Sequence, residues 1–234
     1  MIIETQSKSL NVAVVRFPGS NCDLDTIRFF RRGGHKAEYL WHQDTTTPDA
    51  DLMVLPGGFA FGDRVYERAT HEYQINPGVQ ALKSPVMDVV RKWADKGKPT
   101  LGICNGFQIL VHAGLLPGML SENESGKFFC DDVTFAVEGK SFFGDQSMVG
   151  NAYRINVAHG FGRYEIDNYA YHDLLVKGQV FLRYQGYNPN GSEHNIAGIC
   201  NSEGNIFGMM PHPERADPET RGCFLKAIEL NVRR

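Results

Sequence analysis

The sequence predicts an α/β protein with three layers, α/β/α, around an open, mostly parallel sheet that is extended by antiparallel strands. In the first half, short continuous apolar runs alternate with helical segments, a pattern typical of parallel strands covered on both faces. The second half is rich in candidate strands separated by turn signals such as Asn188-Pro189-Asn190-Gly191. The 234 residues contain no repeat and no linker-like tract, so we expect residues 1–234 to form one domain.

Three apolar runs predict the first strands, at residues 11–15, 37–41 and 52–55. A helix is predicted between the first two, over residues 23–32, because Gly33-Gly34 is a favoured C-terminal stop. The third run ends at Pro56-Gly57-Gly58.

A second helix is predicted to begin at Ser84-Pro85, with the serine hydroxyl as its N-cap, and to end at Gly97. Its apolar residues recur with helical spacing, at Val86, Val89, Val90 and Trp93. The next elements are a strand over residues 100–103 and a helix over residues 105–113.

The second half contributes further strand candidates and a terminal helix from about Glu219. The last two strands are predicted to form a hairpin. The candidates are residues 133–137, 155–158, 180–184, 196–200 and 205–210.

Composition excludes several classes of function. The 24 Lys and Arg against 27 Asp and Glu are too balanced to suggest a nucleic-acid or anionic-membrane partner. No run approaches the roughly 18 apolar residues of a membrane span, and the N-terminus has no basic region. The five cysteines include no C-x-x-C pair, so we expect reduced thiols and a cytoplasmic location. Three of them are expected in or near the core: Cys130, Cys200 and Cys223.

A cysteine at a strand-to-helix turn is the first candidate for chemistry. Residues 101–108 read Leu-Gly-Ile-Cys-Asn-Gly-Phe-Gln, the form of a nucleophile elbow with Cys104 in place of serine. Small residues at Gly102 and Gly106 permit the tight turn, and the start of the following helix favours a thiolate. The backbone N–H of Asn105 would then point at a developing oxyanion. The alternative is a buried core cysteine beside a glycine-rich turn.

The second candidate is Pro211-His212-Pro213-Glu214-Arg215, which follows the last predicted strand. In extended backbone His212 and Glu214 point the same way, so the carboxylate can orient an imidazole that serves as the base for a thiol. The alternatives are a proline-rich surface turn and a metal site. No second cluster of ligands has matching local spacing, so no metal is predicted.

The third candidate is the Gly57-Gly58 turn, which could offer a backbone N–H to an oxyanion. A lone Gly-Gly pair is more often a plain turn. All three candidates follow strands, however, and could share one edge of the sheet, where open α/β sheets bind ligands.

Together these motifs resemble the class I, triad-type glutamine amidotransferases, and among them the glutaminase subunits of phosphoribosylformylglycinamidine synthase. The resemblance covers nearly the whole chain from about Val12. The motifs that carry it are residues 18–23, 57–63, 102–108, 157–160 and 208–215.

The resemblance implies a flavodoxin-like core and a glutaminase mechanism. Cys104 would attack the side-chain amide of glutamine, His212 would move the proton, and Glu214 would orient His212. The N–H groups of Gly58 and Asn105 would hold the oxyanion. A γ-glutamyl thioester would form and be hydrolysed to glutamate.

The resemblance also implies a division of labour. Ammonia would pass to a separate synthetase subunit that uses ATP and magnesium to convert formylglycinamide ribonucleotide to its amidine in purine synthesis, and a small third subunit would bridge the two. No cofactor is expected in this chain, which contains neither a G-x-x-x-x-G-K-[ST] loop nor a G-x-G-x-x-G fingerprint.

The sequence allows two roles for each of the other residues in these motifs. Gln108 lies one helical turn after Cys104 and would touch substrate or brace the elbow. His159 and Gly160 match a family motif near the glutamine site, where substrate positioning and local structure are both open. Cys22 lacks paired elbow glycines, so we expect it at a helix start or a subunit contact.

The sequence departs from the family pattern at residues 64–78, a longer and different segment. It is either a solvated loop or a cap over the glutamine site or docking element for the synthetase. Two alternatives to an amidotransferase remain: a cysteine hydrolase of peptidase or deglycase type, and an interaction protein without activity.

Overall fold

The computed structural model describes residues 9–62, 77–138 and 147–232, and its centre is a sheet of nine strands. Its order is β2-β1-β3-β4-β11-β10-β9-β6-β7, and β5 pairs with β8 in a separate small sheet. The strands are β1 (Asn11–Arg16), β2 (Lys36–Trp41), β3 (Leu52–Leu55), β4 (Thr100–Ile103), β5 (Met119–Ser121), β6 (Phe129–Val137), β7 (Ala152–His159), β8 (Arg163–Glu165), β9 (Val180–Tyr184), β10 (Ile196–Cys200) and β11 (Ile206–Met209).

Five α-helices are found in the described ranges. They are α1 (Asp23–Arg32), α2 (Val86–Asp95), α3 (Asn105–His112), α4 (Asn168–Val176) and α5 (Pro218–Val232). Short 3₁₀ turns lie between them, including one at Pro213–Arg215 directly after β11.

The sheet changes from parallel to antiparallel at β11. Strands β2, β1, β3, β4 and β11 pair in parallel, and β10, β9, β6 and β7 continue the sheet in antiparallel pairs. Leu55 pairs with Gly102, and Met209 pairs with Ile103, so the carboxyl ends of β3, β4 and β11 lie side by side. The predicted three-layer α/β/α fold with an antiparallel extension is confirmed.

The core is built as the apolar runs predict. Strands β3 and β4 are buried at every residue, and the predicted apolar face of α2 is buried down to Trp93. Phe224 of α5 packs edge-on against Phe135 of β6, so this helix covers the antiparallel extension. Burying a side chain of this size contributes about 1.5–3 kcal/mol.

Several details differ from the sequence predictions. Ser84 does not cap α2, because its Oγ is buried without a hydrogen bond to the described residues and Pro85 takes the N-cap position. Strand β6 begins four residues before the predicted 133, since its outer half is exposed and lacks an apolar run. Helix α4 was not predicted, although the Asp167 side chain accepts hydrogen bonds from two of its first N–H groups. Cys130 is exposed, whereas Cys200 is buried as expected.

Residues 64–76 of the departing segment lie outside the described residues. Among the described helices, none is long and apolar enough to cross a membrane.

Candidate active site

Cys104 lies between the end of β4 and the start of α3, in a strained backbone conformation. Its φ is 51° and its ψ is −106°, in the left-handed half of φ space that costs an L-residue about 1–3 kcal/mol. The two glycines of the elbow are required by close packing. A Cβ at Gly106 would overlap the carbonyl oxygen of Leu55, and one at Gly102 would lie 2.7 Å from the Gly106 carbonyl oxygen. The predicted elbow is therefore present.

The thiol of Cys104 is buried between two parts of the sheet. Its backbone N–H donates to Met209 O at 2.7 Å, and its Sγ donates to the carbonyl oxygen of Ala158 at 3.6 Å. The first contact ties the elbow to β11, and the second brings the end of β7 against the thiol. Ala158 and its neighbours therefore form one wall of the site.

His212 and Glu214 form a buried pair directly after β11. The imidazole Nδ1 lies 2.7 Å from Glu214 Oε1, and both side chains are almost fully buried. Burial acts to lower the imidazole pKa, but the Glu214 carboxylate and the neighbouring Cys104 thiol more than offset it and raise that pKa to about 9. Nε2 is buried and makes no hydrogen bond of standard geometry to the described residues. The ring is thus oriented by Glu214, with Cys104 as the neighbour that can exchange a proton with it.

A metal ligand set would need the same atoms. Cys22 Sγ, a nitrogen of His212 and an oxygen of Glu214 lie within 4.8 Å of one another. However, Nδ1 of His212 is bonded to Glu214, and the guanidinium of Arg215 lies 3.0 Å from Cys22 Sγ. A cation so close to the sulfur disfavours a metal ion, and the cluster suits a hydrogen-bonded base.

The two predicted oxyanion residues lie at neighbouring strand ends. Gly58 has φ 139°, and a Cβ there would lie 2.7 Å from Asn21 N, so only glycine fits this turn. No acceptor among the described residues is paired with the Gly58 N–H. Asn105 is the first residue of α3, at the positive end of the helix dipole. Its side-chain Oδ1 accepts from the Ala60 N–H at 3.1 Å, which links the elbow to the glycine turn.

Gln108 is buried, and both ends of its amide have protein partners. Oε1 accepts from Asn105 Nδ2 at 2.8 Å, and Nε2 donates to the carbonyl oxygen of Phe161 at 2.6 Å. Of its two predicted roles, these contacts favour bracing: Gln108 joins the elbow to the wall that follows β7.

His159 lies at the centre of a buried polar network behind that wall. Its Nδ1 lies 3.1 Å from Asn123 Oδ1, and Asn190 Nδ2 lies 3.5 Å from its Nε2. The amide orientations correspond to a neutral ring protonated on Nδ1. Burial, with a further effect from His212, lowers its pKa to about 3. The carbonyl of Gly160 accepts from the Asn123 N–H at 2.8 Å, so His159 and Gly160 both hold the wall in place.

Four polar residues of the site were not predicted as such: Asn123, Asn156, Asn190 and Arg215. Asn190 was visible in the sequence only as part of a turn signal. Its side chain donates to Gly162 O at 2.7 Å and to the Tyr184 hydroxyl at 3.2 Å. The contact with Gly162 joins residues 28 positions apart, and a linear pattern gives no signal for it.

Acidification is expected to destabilise the fold through His159. Below pH 6.5 the unfolded chain binds a proton at this residue, whereas the native ring, with a pKa of about 3, stays neutral. Because the unfolded state then binds more protons, the free energy of unfolding falls by about 1.4 kcal/mol for each pH unit. His212 acts in the opposite direction. Because its native pKa is raised, its stabilising contribution is fully present below pH 6.5, so it does not add to this slope. Urea unfolding at several pH values between 6.5 and 4.5 measures the slope.

A matched pair of variants isolates the group responsible. His159→Gln is expected to lower the slope of the unfolding free energy against pH by about 1.4 kcal/mol per pH unit, which corresponds to one proton, whatever its effect on absolute stability. His172→Gln, at an exposed histidine of α4, should keep the wild-type slope. An unchanged slope in His159→Gln would contradict the assignment of a neutral buried ring.

Comparison with known proteins places the chain in a family. Residues 9–222 match the family model described as a CobB/CobQ-like glutamine amidotransferase domain. The phosphoribosylformylglycinamidine synthase subunit PurQ of Nostoc sp. is 45% identical over 216 residues, covering 91% of this chain and 92% of the relative. The PurQ subunit of Thermus thermophilus is also 45% identical, over 217 residues, covering 90% of this chain and 91% of the relative.

Solved structures agree with the sequence comparison. A chain in the structure of PurLQS from Thermotoga maritima is 37% identical, with a TM-score of 0.81, and the match covers 97% of this chain and 100% of that one. A glutamine amidotransferase from Thermotoga maritima has a TM-score of 0.57 at 18% identity, covering 97% of this chain and 85% of that one, and shares the fold. The chain belongs to the glutamine amidotransferases, in the family of the PurQ subunits of phosphoribosylformylglycinamidine synthase.

Proposed function

We propose that this chain hydrolyses glutamine to glutamate and supplies the ammonia to a synthetase subunit that forms formylglycinamidine ribonucleotide. The observation that carries the proposal is the placement of a strained elbow cysteine beside a buried His–Glu pair. A thiol nucleophile needs a base, and the base needs an orienting group. Cys104, His212 and Glu214 supply these three parts at the carboxyl ends of β4 and β11.

The reaction begins at Cys104. The raised pKa of His212 favours transfer of the Cys104 proton to Nε2 before the attack, and the sulfur then forms a bond to the side-chain amide carbon of glutamine. The carbonyl oxygen becomes an oxyanion, which the N–H groups of Gly58 and Asn105 stabilise. His212 then gives the proton to the amide nitrogen, and the C–N bond breaks. Ammonia departs, and a γ-glutamyl thioester remains on Cys104.

The second half returns the enzyme to its starting state. His212 removes a proton from a water molecule, whose oxygen adds to the thioester carbon. The C–S bond breaks, the proton returns to Cys104, and glutamate leaves. The Glu214 carboxylate, hydrogen-bonded to Nδ1, stabilises the imidazolium form of His212 in both halves.

The proposal includes partners. The PurLQS structure contains a chain similar to this one, and we infer a corresponding assembly here, with a synthetase and a small bridging subunit. ATP and magnesium would bind to the synthetase, not to this chain. A cytoplasmic location belongs to the proposal, and the five free cysteines support it.

Labelling with an electrophilic glutamine analogue, a γ-diazoketone, tests the proposal. The assembled enzyme is incubated with the analogue with and without glutamine, and the modified residue is found by peptide mass spectrometry. We expect one label, on Cys104, and protection by glutamine. Cys130→Ser removes an exposed thiol and should leave the label unchanged.

The other outcomes select other functions. Labelling of Cys104 without protection by glutamine favours a cysteine hydrolase with a different substrate. A folded protein that takes up no label in the assembled enzyme is an interaction protein without activity, and the proposal would then be wrong.

A further inference from the structure

Cys22 is a buried thiol beside the proposed catalytic residues that the mechanism does not use. It precedes α1, and its backbone N–H donates to the carbonyl oxygen of Gly57 at 3.3 Å. A Cβ at Gly57 would lie 2.6 Å from Cε1 of His212 and 3.4 Å from Cys22 Sγ. The glycine therefore lets this thiol and the imidazole lie close together.

The partner of Cys22 is the guanidinium of Arg215. Nη2 of Arg215 donates to Cys22 Sγ at 3.0 Å, and Nη1 donates to Asn156 Oδ1 at 3.0 Å. The carbonyl oxygen of Asn156 also accepts the backbone N–H of His212 at 2.9 Å. Residues from the start of α1 and from β7 thus hold the guanidinium next to the turn that carries the His–Glu pair.

The guanidinium interacts with charges of the proposed machinery. Its Nη2 lies 3.0 Å from Cys22 Sγ, and that sulfur lies within 4.8 Å of a nitrogen of His212 and an oxygen of Glu214, so the positive charge is close to the pair. Glu214 Oε2 is buried without a hydrogen bond to the described residues, so the carboxylate is stabilised through Oε1 and by nearby charge. Arg215 supplies a permanent positive charge at this place.

Three other titratable groups around the pair are neutral near neutral pH: Cys22, His159 and Tyr184. Burial raises the pKa of Cys22 to about 12, since the opposing effect of Arg215 is smaller. Burial lowers the pKa of His159 to about 3 and raises the pKa of Tyr184, which lies near Cys104. Cys22 therefore stays a thiol that accepts from Arg215 and leaves the cation's charge uncancelled.

We propose that Arg215 is a positioning residue for the His212–Glu214 pair, held in place by Cys22 and Asn156, and that its charge sets the pH range in which the pair works with Cys104. This inference rests on the proposed glutaminase function. A positive charge opposes protonation of every group near it. Its removal therefore shifts both limbs of the pH profile of kcat/KM to higher pH, since the limbs belong to the coupled Cys104–His212 system.

The test measures kcat/KM for glutamine against pH in the assembled enzyme. Arg215→Met removes the charge at similar length, and we expect both limbs to move up by about half a pH unit, because solvent screens a partly exposed guanidinium. Arg215→Lys keeps the charge and should leave the limbs near their wild-type positions, even if kcat falls. The comparison separates the effect of charge from that of packing.

A second pair tests the role of Cys22. Cys22→Val removes the acceptor and should move the limbs in the direction of Arg215→Met, whereas Cys22→Ser keeps an acceptor and should move them less. Cys200→Val, at a buried cysteine in β10, controls for the replacement of a core thiol and should leave the profile in place.

Two results would overturn the inference: an Arg215→Met profile at the wild-type position, or equal shifts in Arg215→Met and Arg215→Lys. Either would leave Arg215 a structural residue. Both require an active wild type, so they differ from failure of the proposed function, in which the wild-type enzyme releases no glutamate.

Discussion

Cys104→Ala is expected to reduce glutamate release from glutamine by about 10⁴-fold or more in the assembled enzyme. The methyl group cannot form the thioester, and the His212–Glu214 pair then has no nucleophile to activate. Nucleophiles of catalytic triads show losses of this order, and the residual rate comes from binding and the oxyanion groups. The measurement is glutamate formed in the presence of the synthetase subunit, formylglycinamide ribonucleotide and ATP.

Added ammonia separates loss of chemistry from loss of structure. If ammonia replaces glutamine, the synthetase reaction no longer needs the thiol, so Cys104→Ala should form the amidine at the rate of the wild type. Cys130→Ala, at an exposed cysteine, should retain glutamine-dependent activity. Glutamate release by Cys104→Ala within tenfold of the wild type would show that another residue is the nucleophile.

The backbone of Cys104 adds a stability readout to the same position. Alanine keeps the strain of φ 51°, whereas glycine adopts this region without a steric penalty. Cys104→Gly should therefore unfold at higher urea concentration than Cys104→Ala, although both lack the thiol. This ordering would indicate that the backbone of the elbow is strained in the folded protein.

The parts of the site that could be predicted from the sequence are local in the chain. The elbow of Cys104 needs a strand, two glycines and a helix within eight residues, and the pairing of His212 with Glu214 needs only a spacing of two. Their meeting at one sheet edge follows from the parallel arrangement of β4 and β11. The elbow and the His–Glu pair each rest on short-range geometry that residue type and spacing determine.

The parts that could not be predicted depend on contacts between distant segments. Arg215 and Cys22 are 193 positions apart, and their contact exists only because α1 and the turn after β11 meet beside Gly57. Asn123 and Asn190 come from loops and converge on His159. The sequence leaves two roles open for Gln108 for the same reason: its bracing partner, Phe161, is 53 residues away.

Gly106→Ala is expected to destabilise the protein by about 3 kcal/mol or more and to abolish glutaminase activity. The added methyl group would overlap the carbonyl oxygen of Leu55 and lie 2.6 Å from its carbonyl carbon. Both belong to rigid backbone at the end of a fully buried strand, so α3 must move away from β3. Overpacking of this kind costs about 1–3 kcal/mol and occasionally more, and backbone neighbours place this site at the upper end. Urea unfolding measures the loss.

Gly222→Ala is the matched control, because it makes the same substitution where there is space. Gly222 lies in α5, where an added Cβ would meet no described atom within 4 Å beyond its chain neighbours and the backbone of its own helix, and its backbone needs no positive φ. Alanine there should stabilise the fold by about 0.5–1 kcal/mol, the usual gain over glycine inside a helix. The two variants should therefore move the unfolding midpoint in opposite directions. A Gly106→Ala protein as stable as the wild type would show that α3 can shift without cost, and the elbow would then not depend on close packing against Leu55.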